Sequence, residues 1–408
     1  MLEIHKHLLK LELDFSKQHL YNFDYTCKLT RVINWASSFT LWHSRWFWIK
    51  ERMNPFIRIG YPMKRPTQVD VARLAGVSRA TVSYVINGQT NGRVNISPET
   101  QQRVLDAVAE LGYVPDAQAQ ALRSGSTNTL GVLIPDIHNP HFWQYVDGIE
   151  HAAQDSGYRL LVSSTSLDPK HEQNNLKDLA QRRIDGLIVQ GFFSEPSKTT
   201  NQIFKQLLKR QLPIVVIGQT RAQVDTVWAD YRTATNEVMT YLLSLQHQRI
   251  GFIYGVKHPM LGEDRLTPYK GNLAKAGLPV DESLIINCGP TIEDGYQAAY
   301  ELLSRSPRVT AVIAINDLLA MGVLRAAADL GIHVPSQLSV VGFDDITMAN
   351  YIIPRLTTVS KDPAKFGQEA MRLILARIQE PDRPVQKIRM PIRFIVRETT
   401  GPALSEHQ

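Results

Sequence analysis

Two sets of polar residues stand out by type and spacing. The first lies in "DVARLAGVSRATVSYVINGQ", residues 70–89, where Ser78, Arg79, Ala80, Thr81, Ser83, Tyr84 and Asn87 open and line the second of two short apolar rhythms. An arginine donates two hydrogen bonds to a guanine edge, worth about 1–3 kcal/mol of discrimination, while an alanine offers only a methyl contact. Short hydroxyls and amides suit phosphate oxygens, which set register and carry no sequence information. The second set sits where apolar runs end: residues 136–142, 163–166, 190–193, Asp230, 316–317 and 344–345, with Arg265 opening a following helix. Phe142, Phe193, Trp228 and Tyr269 read either as stacking faces or as core among hydroxyls, amides and carboxylates, a mixture that suits a carbohydrate. Acid–base or metal chemistry fares worse. Asp317, Asp344 and Asp345 read equally well as caps and loop residues, and His138 and His141 in "HNPH" lack further ligands. No phosphate loop, nucleophile elbow or complete G-x-G-x-x-G is present. The expectation is a binding protein, not an enzyme, with no cofactor and no metal.

These residues need elements to hold them. Thr67 can cap a first helix with Asp70 at capping-box distance, and Gly76 can end it. Ser78 can cap a second helix running to about Asn87 before Gly88. Ser97 precedes Pro98 at the start of a third, in which Val104, Leu105, Val108 and Leu111 recur at helical spacing until Gly112. Val71, Leu74, Ala75, Val82 and Ile86 can form one small core, leaving Arg79, Ala80, Ser83 and Tyr84 on the opposite face. A helix, a Gly-containing turn and a second helix is the helix-turn-helix arrangement that lays its second helix in a DNA major groove; a solvated αα-hairpin has the same rhythm. In "YVPDAQAQALRSGST", residues 113–127, Asp116 can cap a short helix ending near Leu122. That helix is too short and polar to form without a partner, and Leu122 is the type of wedge that enters a minor-groove step. A plain linker is the alternative.

From Thr129 onward apolar strands ("TLGVLIPD", "YRLLVSS", "GLIVQG", "PIVVIG", "TVWAD", "RIGFIYG", "AVIAIND", "LSVVGFDD") alternate with helical stretches. Continuous Val/Ile/Leu runs mark buried parallel strands, and the alternation predicts doubly wound α/β structure in two halves meeting near residue 228. Asn139 and Asp345 read either as crevice residues or as helix caps.

The 408 residues suffice for two or three domains, and 45 Lys+Arg against 39 Asp+Glu leave a formal charge of +6, too small to identify an anionic partner alone. The two cysteines, Cys27 and Cys288, lie far apart, which fits a reducing cytoplasm. No apolar run is long enough to span a bilayer and the start lacks a signal-peptide pattern, so a soluble, cytoplasmic protein is expected. Residues 1–62 hold Trp35, Trp42, Trp46 and Trp48 without periodicity. They read either as an overextended start, with Met63 the working first residue, or as a membrane-surface or partner-binding extension.

"TQVDVARLAGVSRATVSYVING", "SPETQQRVLDAVAELGYVPDAQAQALRSG", "RRIDGLIVQG", "INDLLAMGVLRAAADLGIHVPSQLSVVGFDD" and "PRLTTVSKD" together resemble the lactose-repressor/galactose-repressor family of bacterial transcription regulators, over about residues 63–400. The resemblance implies an all-α helix-turn-helix head followed by a periplasmic-binding-protein-like α/β core of two doubly wound parallel-sheet subdomains. The corresponding layout is an atypical extension over 1–62, a DNA-binding domain over 63–115, a hinge helix and linker over 116–128, and a two-lobed effector-binding and dimerisation domain over 129–408, with the chain crossing back near 357. It implies a homodimer or dimer of dimers on palindromic double-stranded operator DNA, contacted by Thr67, Ser78, Arg79, Ala80, Thr81, Ser83, Tyr84, Asn87, Ala119 and Leu122. A small effector, a sugar or related metabolite, would lie between the lobes against Asn139, Phe142, Gln190, Arg265, Asn316 and Asp344. Tyr84 stands where relatives often carry Arg, and "NGQTNGRVNIS" is a long loop, so the operator sequence stays open. The rival reading is a solute-binding protein with the same core and no regulatory role.

Overall fold

The computed structural model describes residues 66–88, 95–115, 125–191, 198–255 and 262–404. The two readings of residues 1–62, the roles of Ala119 and Leu122, and Phe193 as a stacking face fall outside them. The chain divides into two compact units, Met1–Val114 and Pro115–Gln408.

The first unit is helical. Helix α1 (Gln68–Ala75) starts in the expected capping box, Thr67 N–H donating to Asp70 Oδ2 at 2.9 Å, and ends at Gly76 with φ 64°. Helix α2 (Arg79–Ile86) is capped by Ser78, whose Oγ accepts from Thr81 N–H at 3.1 Å. Helix α3 (Pro98–Leu111) starts on Ser97 and stops at Gly112, φ 57°. Val71, Ala72, Ala75, Val82, Val104 and Ala107 close over one another as the core, with Ile86 at its margin. One expected core residue, Leu74, lies outside at 45% exposed, and Leu105 of the α3 apolar rhythm is 48% exposed. With about 100° between successive residues, the buried stripe of α1 centres on 71, 72 and 75, and Leu74 falls off its side. Leu105 sits a similar angle from the Val104–Ala107 stripe.

The second unit holds two parallel sheets. The first runs in the order β11-β5-β4-β3-β1-β2, its strands being β1 (Thr129–Ile134), β2 (Arg159–Ser164), β3 (Gly186–Gln190), β4 (Ile214–Ile217), β5 (Asp225–Ala229) and β11 (Lys387–Met390). Alternate side chains serve different cores. Ile188, Val215 and Ile217 pack on one face against helices α4 (Pro140–Asp155) and α11 (Pro363–Gln379). Leu187, Val189, Ile214 and Val216 pack on the other against α5 (Pro169–Gln181) and α6 (Lys198–Lys209). Both faces are covered, which is why these strands read as unbroken apolar runs. Helices α4 and α11 touch backbone to backbone: a Cβ on Gly148 would lie 2.0 Å from Ala364 O.

The second sheet has the order β7-β6-β8-β9, with β6 (Ile250–Tyr254), β7 (Ile285–Asn287), β8 (Ala311–Ala314) and β9 (Ser339–Val341). Helices α7 (Tyr231–Ser244), α8 (Glu263–Lys275), α9 (Ile292–Leu303) and α10 (Asp317–Asp329) cover it. The chain leaves the first sheet after Ala229 and returns between β10 (Thr358–Ser360) and α11. It crosses once more from β11 to β12 (Arg393–Ile395), which pairs antiparallel with β10. Short strands β7, β10, β11 and β12 were not expected from sequence. Their three or four residues carry polar groups, so no apolar run announces them. Edge strand β11 is fixed by the buried Asp225 carboxylate, which accepts from Arg377 Nε at 3.0 Å, Arg383 Nη2 at 2.7 Å and Gln386 N–H at 2.8 Å.

Candidate functional site

Strand β3 and helices α4, α7 and α8, with the turns after β9 and β10, bring one buried polar cluster together. Proline at the start of α4 and Asn139 before it fix the helix entry, Asn139 Oδ1 accepting from His141 N–H at 3.0 Å. This turns His141 inward, 3% exposed, with its Nε2 3.4 Å from Asp344 Oδ1 across the two lobes. Asp344 and Asp345 both adopt positive φ, 105° and 53°. Such backbone costs an L-residue about 1–3 kcal/mol and persists only where its surroundings enforce it. Here it aims Asp344 at His141 while Asp345 turns to Arg397, 2.6 Å away.

Below His141, Tyr145 lies edge-on at 5.1 Å, with the Gln190 side chain at the end of β3 close to its hydroxyl. From the other lobe Arg265, at the first turn of α8, stacks its guanidinium 3.7 Å over the Tyr231 ring and 5.1 Å from that of Phe343. Its Nη1 takes Asp264 at 3.3 Å. Lys361, just past β10, donates to the Tyr231 hydroxyl and stands over the rings of Tyr231, Tyr145 and Phe366 at 4.6, 5.4 and 5.8 Å. Burial, then the positive charges of Lys361 and Arg265, hold His141 well below its ordinary pKa, so it is neutral. Burial pushes Asp344 up, against the pull of Lys361 and Arg265, and pulls Lys361 down to about 8.

Three buried atoms of this cluster have no hydrogen-bond partner: His141 Nδ1, Gln190 Oε1 and Arg265 Nε. Each such atom costs on the order of 1–3 kcal/mol unless something pairs with it. They come from three separate elements and two lobes and leave both donor and acceptor capacity open in one cleft.

Of the six expected effector contacts, the cluster gathers Gln190, Arg265 and Asp344 around His141, with Asn139 and Phe142 flanking it. The Phe142 ring lies 5.5 Å from that of His141. Asn139 and Asn316 both act as caps. Asn316 Oδ1 accepts from Leu319 N–H at 2.7 Å and its amide donates to Pro290 O at 3.3 Å, which uses both ends of the side chain. Tyr269 is not a stacking face: fully buried, it donates its hydroxyl to Ile250 O at 2.8 Å within the core. Trp228 lies under Arg389, whose guanidinium reaches Asp230, itself the cap of α7. Asp345 caps nothing; it is the ion-pair partner of Arg397. Asp317 is also structural, accepting from Thr358 Oγ1 at 2.6 Å and Ile346 N–H at 2.8 Å. Sequence reasoning missed Tyr145, Tyr231, Phe343 and Lys361, and singled out His141 only as a metal ligand, though it fell within the 136–142 crevice stretch. The signal for Lys361 was its place at the carboxyl end of a strand inside "VSKD", immediately before the Asp362 cap. Among the described residues no cluster of three or more His, Cys, Asp or Glu could hold a metal ion.

On the helical unit, Arg79 and Ala80 are exposed at the start of α2, and Arg79 Nε reaches Gln68 Oε1 at 3.4 Å. Thr67 and Ser78 spend their side-chain oxygens on caps. Asn87 folds back to donate to Ser83 O at 2.5 Å and caps the end of α2. Thr81, Ser83 and Tyr84 are half-buried. An exposed arginine at the first turn of the second helix is the geometry that reads base edges in a major groove.

A helix-turn-helix unit followed by two parallel-sheet lobes around a polar cleft defines the class of ligand-responsive DNA-binding regulators. The family described as bacterial regulatory proteins, lacI family, matches residues 67–116, and the periplasmic binding protein-like domain matches residues 239–400. The chain is 36% identical over 341 residues to the HTH-type transcriptional regulator DegA of Bacillus subtilis (strain 168), covering 83% of this chain and 99% of that protein. It is similar to a solved complex of the transcriptional regulator CelR with cellobiose, at TM-score 0.60 and 30% identity over 82% of this chain and 100% of that one. It is also similar to the lac repressor dimer bound to operator and the anti-inducer ONPF, at TM-score 0.71 and 25% identity over 83% of this chain and all of that one. The chain belongs to the LacI family of bacterial regulatory proteins, as the sequence resemblance implied. No helix among the described residues is long and apolar enough to cross a membrane.

Proposed function

We propose that this protein is a transcriptional repressor that binds a palindromic operator as a homodimer and whose grip is set by a small carbohydrate-type effector in the cleft between the lobes. The observation that carries the reading is the convergence of His141 Nδ1, Gln190 Oε1 and Arg265 Nε, unpartnered and buried, beside the cross-lobe His141–Asp344 pair. In the proposed layout, residues 63–115 are the DNA head, 116–128 the hinge carrying Ala119 and the Leu122 wedge, and 129–408 the effector-binding core. The cellobiose complex of CelR and the operator complex of the lac repressor support each half.

Strand β3 supplies a relay. At one end is Gln190. At the other, just before Gly186, Asp185 binds the start of the core: it accepts from Ser126 Oγ at 2.5 Å, Thr127 N–H and Oγ1 at 2.9 Å each, and Asn128 N–H at 2.8 Å. At about 3.3 Å per residue the strand carries a displacement some 16 Å. An effector that draws Gln190 toward the second lobe therefore moves the anchor of the segment leading to the hinge. Because the two sites are linked, the effector changes operator affinity by the factor by which operator changes effector affinity, typically 1–3 kcal/mol of coupling, about 5–150-fold.

The test is selection of genomic DNA fragments by the purified full chain followed by footprinting, with and without a small-molecule extract. A protected palindrome is expected. The absence of sequence-selective protection in both conditions overturns the reading.

A further inference from the structure

We infer that the effector is an acid: a polyhydroxylated small molecule carrying one anionic group, carboxylate or phosphate, that seats between Arg265 and Lys361. The inference rests on the effector-site reading above and names the chemistry of its ligand.

The unpartnered atoms specify what must come in. The Asp344 carboxylate faces His141 Nε2 at 3.4 Å. A neutral imidazole has one donor and one acceptor nitrogen, and a hydroxyl can meet either at Nδ1. Gln190 Oε1 accepts. Two hydroxyls satisfy both atoms, the signature of a polyol. Arg265 Nε is the opposite: a charged donor in search of an acceptor. The guanidinium carbon stands 3.7 Å over the Tyr231 ring, and its fork of charged donors matches the planar oxygens of a carboxylate or the face of a phosphate.

Charge decides between a neutral and an anionic molecule. Two cations, Arg265 and Lys361, line the cluster. Arg265 is 12% exposed on its side chain, and the carboxylate that pairs with it, Asp264, is 28% exposed and shared with solvent. The hydrogen bond of the Lys361 ammonium goes to a phenol, and three aromatic rings surround it. Among the described residues Asp344 is the buried carboxylate near both; it faces the neutral imidazole of His141, and burial drives it toward its neutral form against the pull of Lys361 and Arg265. A buried ammonium without a full counter-charge is costly. An anionic effector group supplies that charge, whereas a sugar hydroxyl supplies only an acceptor.

Charge also gives the binding a pH signature. The groups facing Lys361 are Tyr145, Tyr231, Arg265, Asp264, Asp344 and His141. Burial leaves Lys361 with a pKa of about 8. Affinity for an anion is therefore retained below pH 8 and lost as pH rises through it.

The experiment is calorimetric titration of the full chain with matched trios: glucose, gluconate and glucose 6-phosphate; ribose, ribonate and ribose 5-phosphate. At least one anion is expected to bind tenfold or more tightly than its neutral parent, and the carboxylate and phosphate arms separate the two sources. Lys361→Gln should abolish that preference. Lys361→Arg should keep it and remove the loss of affinity between pH 7 and 9. Neutral sugars binding as well as or better than their acids overturn the anionic inference while leaving the cleft reading in place. No binding by any anion also overturns it. An anion whose binding is untouched by Lys361→Gln, Arg265→Gln and Gln190→Ala lies elsewhere, and both readings fall.

Discussion

Replacing Asp185 by alanine tests the proposed relay at its anchor. The carboxylate accepts from two backbone amides, Thr127 and Asn128, and from the hydroxyls of Ser126 and Thr127. Hydrogen bonds to a charged acceptor contribute about 1.5–3 kcal/mol each when shielded. These are partly exposed, and water replaces some of what is lost, so about 2–3 kcal/mol is the expected total for the junction. At 1.4 kcal/mol per factor of ten, that raises local opening about 30–150-fold. Native-state hydrogen exchange read at the Thr127 and Asn128 amides should show protection falling by that factor. The Leu187 and Val189 amides inside the sheet should be unchanged. Effector affinity should be nearly wild type, since Gln190 keeps its place, while the effector's influence on operator affinity shrinks. A variant with lost protection at residues 127–128 and an undiminished effector response would refute β3 as the relay. Undiminished protection would refute the strength assigned to the anchor.

Other substitutions separate the parts. Arg79→Ala should cost about 1–3 kcal/mol on the selected operator and relax base preference at one position per half-site; a uniform loss across all sequences, seen in competition binding, would make Arg79 a phosphate contact instead. His141→Gln should flatten the acid limb of stability. His141 is held neutral in the folded chain by burial first and by Lys361 and Arg265 next, so below about pH 6.5 the unfolded chain binds a proton the folded one refuses and stability falls as pH drops. The slope lost, read from urea melts between pH 5 and 6.5, is at most about 1.4 kcal/mol per pH unit; an unchanged slope would show His141 protonated in the fold. Asp225→Ala leaves Arg377 and Arg383 facing each other without their shared carboxylate, and breaking a buried pair of this kind costs about 3–5 kcal/mol. Chemical denaturation measures it, and a loss under 1 kcal/mol would mean that β11 is held by its ladder alone.

Much of this was legible in the sequence because local chemistry and tertiary need agree there. Thr67 with Asp70, Gly76, Ser78, Ser97 and Gly112 announce their caps by residue type, and the structure places each one so. The unbroken apolar runs of β1, β3 and β4 announce a sheet covered on both faces. Arg265, Gln190 and Asp344 could be grouped from sequence because strand ends and following helix starts in such sheets point at the cleft. Leu74 was misplaced because i, i+3 and i, i+4 neighbours are both consistent with one face, and only packing against the other helices selects the stripe. Tyr269 was misread because an aromatic on the helix after a strand looks the same whether it lines a cleft or fills a core; its hydroxyl bond to Ile250 decides. Tyr231 and Lys361 are 130 residues apart in sequence. Their meeting depends on the chain's return between β10 and α11, a crossing that periodicity locates without assigning contacts.

The central claim is that one small molecule in the cleft controls the grip on DNA. Its most direct test is a linkage measurement on the full chain: operator dissociation constants with and without saturating effector, and effector dissociation constants with and without saturating operator. The same factor is expected in both pairs, about 5–150-fold, collapsing toward one in Asp344→Ala. A ligand that occupies the cleft and leaves operator affinity unchanged would contradict it.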